Sequence, residues 1–223
     1  MAVDIRAVLF DLGGTLIKTA PVPIIFERIL SSHGIRAKQN VDEAFLSEVA
    51  KEMANDHGLP YREFWRIYNG RILRKMGVSR NIEELADTIS DEWWMNAGLE
   101  LFPEVKDTLL TLRRRGLKLG MVTNGFRKDI EDIFQRVSLS DKFDVTVGVD
   151  DVGARKPDRK IFMHALEKLA IDPQEALFVG DNTELDYRGA EDSGLKPILI
   201  DRSNKISGEY TKIRSLKEVI QFI

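Results

Sequence analysis

Five short runs of consecutive apolar, often β-branched residues recur along the chain: Ala7 to Phe10, Leu117 to Thr123, Phe143 to Val147, Ala176 to Gly180 and Pro197 to Ile200. Each has strand length and lacks the alternation of a sheet with one wet face, so each predicts a strand buried on both sides. Segments of helical period lie between the last four. Phe126 to Val137 places Ile130, Ile133, Phe134 and Val137 on one face, and Lys160 to Leu169 does the same with Ile161, Ala165, Leu166 and Leu169. Glu184 to Ser193 is the third such segment. Strand and helix in alternation predict an α/β fold, a Rossmann-like parallel sheet covered by helices on both faces. In "RRRG", Gly116 offers the left-handed stop of a helix, and the three arginines before it suit the helix's negative end. They read as a solvated helix terminus rather than an anion site.

From Ile17 to about Gly98 the alternation stops. Four helical stretches follow one another, Phe26 to His33, Val41 to His57, Tyr61 to Met76 and Ile82 to Met95, with breaks at Gly34, Pro60 and Gly77 and no convincing strand. The expected organisation is a core built from residues 1–16 and 98–223 and an all-helical insertion over 17–97. In the third of these helices Tyr61, Phe64, Trp65, Tyr68 and Ile72 fall at helical spacing, which predicts a packed core stripe in preference to an aromatic ligand wall.

Composition narrows the chemistry. The 223 residues suffice for a core domain with an insertion, and 33 Lys plus Arg against 36 Asp plus Glu give a net charge of -3, no basis for expecting a nucleic-acid or anionic-membrane partner. The chain has no cysteine, which removes disulfides, thiolate zinc sites and thiol catalysis. The apolar run after Arg6 is too short for a signal segment or a membrane span, so a soluble, cytoplasmic protein is expected. G-x-S-x-G, H-E-x-x-H, Walker and dinucleotide-binding signatures are all missing, and His33, His57 and His164 stand apart from one another. For His57, in the insertion, a capping or packing role is expected rather than an approach to substrate.

Ligands of an open parallel sheet gather at the carboxyl ends of its strands, so the residues just after each strand carry the chemistry. Asp11 follows the first, Thr123, Asn124 and Gly125 the second, Lys156 lies in the loop after the third, and Asp181 and Asp186 follow the fourth. Taken singly, each has an ordinary explanation as a helix cap or turn residue. Their occurrence at four consecutive strand ends favours a site. For a phosphate ester, Asp11 is placed to attack phosphorus and form an acyl phosphate. Three carboxylates together call for a hard cation, and Mg²⁺ suits carboxylates, water and phosphate oxygen. The Thr123 hydroxyl and the backbone N–H groups of Asn124 and Gly125 would hold the non-transferring oxygens, and Lys156 would set one positive charge against nucleophile and phosphoryl group.

The order "FDLGGTL", "VTNG", "KPD", "VGDNTELD" resembles the four motifs of the haloacid dehalogenase-like (HAD) hydrolase superfamily, and the helical insertion resembles that family's C1-type cap. The resemblance implies Asp11 as nucleophile, Thr123 as phosphate-binding hydroxyl, Lys156 as stabilising cation, and Asp181 with Asp186 as the acidic metal-binding end. It further implies that the metal takes the backbone carbonyl of Gly13. In the family's phosphatases the position of Gly13 carries a second aspartate, the general acid and base, so here that proton carrier is missing. The expected function is Mg²⁺-dependent hydrolysis of a small phosphorylated metabolite through an aspartyl-phosphate, by a monomer or homodimer. Two alternatives stay open. A metal-independent 2-haloacid dehalogenase-like hydrolase also needs no second acid, and a non-catalytic module that binds phosphorylated ligands or regulates a partner needs no turnover.

Overall fold

A computed structural model describes residues 4–53 and 58–223. His57, with the end of the helix expected over Val41 to His57, lies outside the described residues. Contacts divide the chain into two units, Met1–Lys18 with Glu100–Ile223, and Thr19–Leu99.

The first unit is built on a six-stranded, fully parallel sheet. Its strands are β1 (Ala7–Phe10), β4 (Lys118–Val122), β5 (Val145–Val147), β6 (Ala176–Gly180), β7 (Lys196–Ile200) and β8 (Lys212–Ile213), in the order β5-β4-β1-β6-β7-β8. Every residue of β1 and β6 is buried, as their unbroken apolar runs predict. β1 pairs with β4 on one side and β6 on the other, with Phe10 opposite Met121 and Val179. The three strand ends nearest the centre therefore finish level with each other, at the point where strand order reverses. Helices α5 (Val105–Arg114), α6 (Arg127–Val137) and α8 (Arg159–Leu169) connect the strands. On one face Leu9, Val122 and Phe178 pack with Ile161, Phe162, Ala165 and Leu166 of α8. The rings of Phe162 and Phe178 meet edge to face at 5.0 Å. Gly116, just beyond α5, takes the left-handed conformation at φ +82°.

Three local features depart from the sequence reading. β8 was not expected, because two residues on a sheet edge are too few to produce an apolar run. Ile17–Lys18 form β2, paired antiparallel with β3 (Glu100–Leu101), although no strand was expected from Ile17 onward. The segment Glu184 to Ser193 is not one regular helix. Its start is a π-helical turn, Thr183–Arg188, followed by a short α9 (Gly189–Asp192). The cause is local: Asn182 Oδ1 caps the N–H groups of Glu184 and Leu185, while the N–H groups of Asp186 and Tyr187 both reach the Asn182 carbonyl at 3.1 Å. Wide turns of this kind concentrate at functional sites.

The second unit is helical: α1 (Val22–Ser32), α2 (Glu43–Glu52), α3 (Tyr61–Lys75) and α4 (Ile82–Asn96). Its core joins Phe26, Ile29 and Leu30 of α1 to Ile72 and Leu73 of α3 and Ala86 and Ile89 of α4. The aromatic stripe of α3 is only partly core. Ile72 is fully buried, but Tyr61, Phe64, Trp65 and Tyr68 are half-buried and pack on one another, with Phe64–Trp65 and Trp65–Tyr68 centroids 5.1 and 5.4 Å apart. The four rings span about two turns of the helix and none of them is fully buried. Among the described residues no helix is long and apolar enough to cross a membrane.

Candidate active site

The strand ends bring Asp11, Lys156, Asp181 and Asp186 into one cluster. β1 delivers Asp11, whose N–H extends the sheet ladder to the Val179 carbonyl at 2.9 Å. Lys156 lies between α7 (Val149–Val152) and α8, next to a cis peptide bond to Pro157. Its Nζ donates to Asp11 Oδ1 at 2.5 Å and to Asp186 Oδ1 at 2.6 Å, and all three side chains are buried. One carboxylate oxygen from each of Asp11, Asp181 and Asp186 lies within 4.8 Å of the others.

Two glycines make this crowding feasible. Gly14 has φ +71°, and a Cβ there would sit 2.0 Å from Asp181 Oδ2, so the Asp181 carboxylate rests on bare backbone. Gly180 plays the same part for Asp186, whose Cβ and Cγ would each be 2.4 Å from an added methyl group. Oδ2 of the Asp186 carboxylate is then fixed by the Asn182 N–H at 3.0 Å. Gly13 differs, since a Cβ at that position meets nothing within 4 Å.

Electrostatics define what the cluster lacks. Burial pushes the Asp11 carboxyl up to about 7, with Asp186 and Asp181 adding to the rise against the opposing pull of Lys156. Asp181 has solvent at its edge, but partial burial of the carboxylate and repulsion from Asp186 push it up to about 6. Burial works against the Lys156 charge, yet Asp11 and Asp186 outweigh it and hold the ammonium above its ordinary range. Among the described residues one buried ammonium thus sits against three carboxylates, with Arg202 acting on Asp181 more weakly. An all-oxygen, carboxylate-rich donor set short of positive charge matches a hard divalent cation such as Mg²⁺, which would let all three acids ionise together.

The second strand end holds the polar residues expected there. Thr123 is buried, and its Oγ1 accepts the Gly125 N–H at 3.2 Å, so the Gly125 donor serves to orient the hydroxyl. The Asn124 side chain does what the sequence did not reveal. Its Nδ2 donates to the Lys156 carbonyl at 3.1 Å and its Oδ1 accepts the Lys156 N–H at 2.7 Å, a two-point clamp on the lysine backbone. A spacing of 32 residues hides that pairing. Arg202, after β7, also went unread although it too follows a strand. His33 lies in the helical unit against Glu92 at 2.9 Å, and His164 lies on α8, so neither joins this cluster.

Comparison with known proteins identifies the family. The family model for haloacid dehalogenase-like hydrolase matches residues 5–194. The chain is 30% identical to glyceraldehyde 3-phosphate phosphatase of Methanopyrus kandleri over 89% of this chain and 84% of that protein. Among solved structures, it resembles a HAD phosphatase from Thermococcus onnurineus with 28% identity and a TM-score of 0.66, covering 98% of this chain and 97% of the other. It also resembles 2-haloacid dehalogenase of Pseudomonas syringae with 25% identity and a TM-score of 0.72, covering 97% of each chain.

Proposed function

This chain belongs to the haloacid dehalogenase-like hydrolases, and we propose that it is a Mg²⁺-dependent phosphatase of small phosphorylated metabolites, with Thr19–Leu99 as its C1-type cap. The observation that carries this reading is the convergence of Asp11, Asp181 and Asp186 within 4.8 Å, beside the Lys156 ammonium. A haloacid dehalogenase has no need of so concentrated an acidic cluster, because a halide leaves without a metal. Bound by Asp11, the Gly13 carbonyl, Asp181 and Asp186, Mg²⁺ would neutralise phosphoryl oxygens and stabilise the ionised carboxylates.

The chain's own residues supply the remainder. An Asp11 carboxylate oxygen attacks phosphorus in line, the P–O bond to the leaving group breaks with its electron pair, and an aspartyl-phosphate is left on Asp11. Lys156 and the Thr123 hydroxyl hold the charge on the non-transferring oxygens during transfer. Water then attacks the aspartyl-phosphate phosphorus, releasing inorganic phosphate and restoring the carboxylate. Gly13 carries no proton to the departing oxygen, which takes one from another group or an ordered water, or leaves without one. Acyl, aryl and anhydride phosphates, whose leaving groups need little help, are therefore the favoured substrates.

The test uses the purified full chain with p-nitrophenyl phosphate and, separately, a 2-haloacid, each with Mg²⁺ or EDTA. Phosphate release that requires Mg²⁺ and disappears in Asp11→Asn is the expected result. EDTA-insensitive halide release would replace this reading with the dehalogenase one, and inactivity across a broad panel would leave a phospho-ligand-binding module.

A further inference from the structure

Arg202 occupies the first loop position but one after β7, two strands away from β1 in the sheet, and its side chain crosses to the loop that follows the Asp11 strand. Nη2 donates to the Thr15 carbonyl at 2.8 Å, and Nε lies 3.4 Å from the Gly14 carbonyl. Nη1 donates to Glu104 Oε1 at 2.6 Å, and the guanidinium lies 3.5 Å from the centroid of the Phe102 ring. Glu104 is buried and also accepts the Leu216 N–H at 3.4 Å, so its carboxylate is itself anchored. All five donors of Arg202 share one rigid plane, and fixing two backbone carbonyls and a carboxylate at once demands that planarity.

The loop it grips is unusually free by composition. Gly13 and Gly14 are adjacent, and neither has a side chain to limit its dihedrals. The loop's internal restraints among the described residues are three: the Gly14 N–H donates to the Ile17 carbonyl at 2.8 Å, which fixes the peptide plane carrying the Gly13 carbonyl, and the N–H groups of Leu16 and Ile17 donate to the Leu12 carbonyl at 2.9 and 3.0 Å. Arg202 holds the carbonyl oxygens of the next two planes, those of Gly14 and Thr15, and the Thr15 plane is held at its other end by the Leu16 N–H. The Thr15 hydroxyl is buried with no hydrogen-bond partner among the described residues, so that side chain adds no polar anchor from them.

We infer that Arg202 is a positioning residue for the nucleophile loop, acting as the external splint that a Gly13–Gly14 pair requires, so that the Asp11 carboxylate and Gly13 carbonyl are presented in register. The inference rests on the function proposed above for its catalytic and Mg²⁺ readouts, and not for its exchange readout. It concerns a chain-specific dependence, since a side chain at position 13 would itself stiffen the loop and lessen the need for the splint.

The experiment pairs Arg202→Ala and Arg202→Lys with Gly13→Ala in every combination. Hydrogen exchange of the peptide spanning Asp11–Leu16 is followed by mass spectrometry, Mg²⁺ affinity by calorimetry, and kcat and KM on p-nitrophenyl phosphate. Arg202→Ala is expected to speed exchange in that peptide, weaken Mg²⁺ binding about tenfold and lower kcat more than it raises KM, an effect of the size seen when supports around metal ligands are removed. Arg202→Lys, which keeps the charge but not the plane, is expected to show most of the same loss. Gly13→Ala is expected to slow exchange and improve Mg²⁺ affinity more in the Arg202→Ala background than in the wild-type one. Exchange of Asp11–Leu16 unchanged in both Arg202 variants, or equal effects of Gly13→Ala in the two backgrounds, overturns the inference. If the wild-type chain binds no Mg²⁺ and releases no phosphate, the proposed function falls while the exchange measurements still decide the role of Arg202. Should Arg202→Ala fail to fold, Arg202→Lys carries the same comparison.

Discussion

Three glycines close to the acidic cluster are doing different things, and substitution separates them. At Gly14 an added methyl collides with Asp181 and the left-handed backbone costs about 1–2 kcal/mol, so Gly14→Ala is expected to lower stability and Mg²⁺ affinity together. Gly180→Ala should weaken Mg²⁺ binding through Asp186, where the methyl would stand 2.4 Å from the carboxylate carbon. Gly13→Asp enters open space. It is expected to raise kcat on alkyl phosphates by about 10²-fold or more, the ordinary worth of a placed proton donor, with far less gain on p-nitrophenyl phosphate. Unchanged alkyl turnover in a folded variant would show that position 13 has no acid–base vacancy. Of the three, the sequence singled out Gly13 alone, through the resemblance of its motif. What Gly14 and Gly180 accommodate was not legible there, because Asp181 is distant from Gly14 in the chain and Asp186 is folded back onto Gly180 by the π-helical turn.

At the scale of elements, the strands of the sheet and the helices between them were readable because full burial forces continuous apolar runs, and one-sided burial forces the helical period. Elements of two residues escaped. β2, β3 and β8 are held by pairing to a neighbour, and nothing in a dipeptide announces its partner. The aromatic stripe of α3 shows the converse limit: spacing identified one face of a helix but not how far along that face the core extends. The contact of α3 with α4 makes a test of what does hold them. Asn69 is buried, and its Nδ2 donates to the Ala86 carbonyl at 3.1 Å and to Ser90 Oγ at 3.0 Å, whereas Arg62–Asp91 is an exposed pair. Asn69→Leu, which leaves the Ala86 and Ser90 oxygens without that donor, is expected to cost about 1–3 kcal/mol in denaturant unfolding. Arg62→Ala is expected to cost under about 1 kcal/mol. A reversed order would overturn the view that the buried amide, not the surface ion pairs, fixes this contact.

For the whole molecule, two titrations follow from the same loop region. Burial alone would push the carboxyls of Glu104 and Asp201 up, but Arg202 outweighs it at Glu104, and the N–H groups of Ile206 and Lys205 outweigh it at Asp201, so both sit below their ordinary range. A depressed carboxyl stabilises the folded state above its unfolded pKa, near pH 4, and that contribution disappears as pH falls through the folded value. The melting temperature is therefore expected to drop on acidification below about pH 4, and Glu104→Gln with Asp201→Asn should flatten that limb. The acidic cluster answers to metal instead: Mg²⁺ at a hundred times its dissociation constant should add about 2.7 kcal/mol to unfolding, and EDTA should remove it. Equal melting with and without Mg²⁺ would argue against a resident cation.

The ribbon of β2 and β3 has a consequence for how such a chain can change. Lys18 stands opposite Glu100, and their side chains meet at 2.7 Å. The points where the chain leaves for the helical unit and returns from it are thus neighbours across one strand spacing, about 5 Å. Everything between them is attached as a cassette. A two-residue Asn-Gly turn joining Lys18 to Glu100 would satisfy the same pairing, so helical units of different length and sequence can be exchanged at this junction without altering the register of the sheet that carries Asp11.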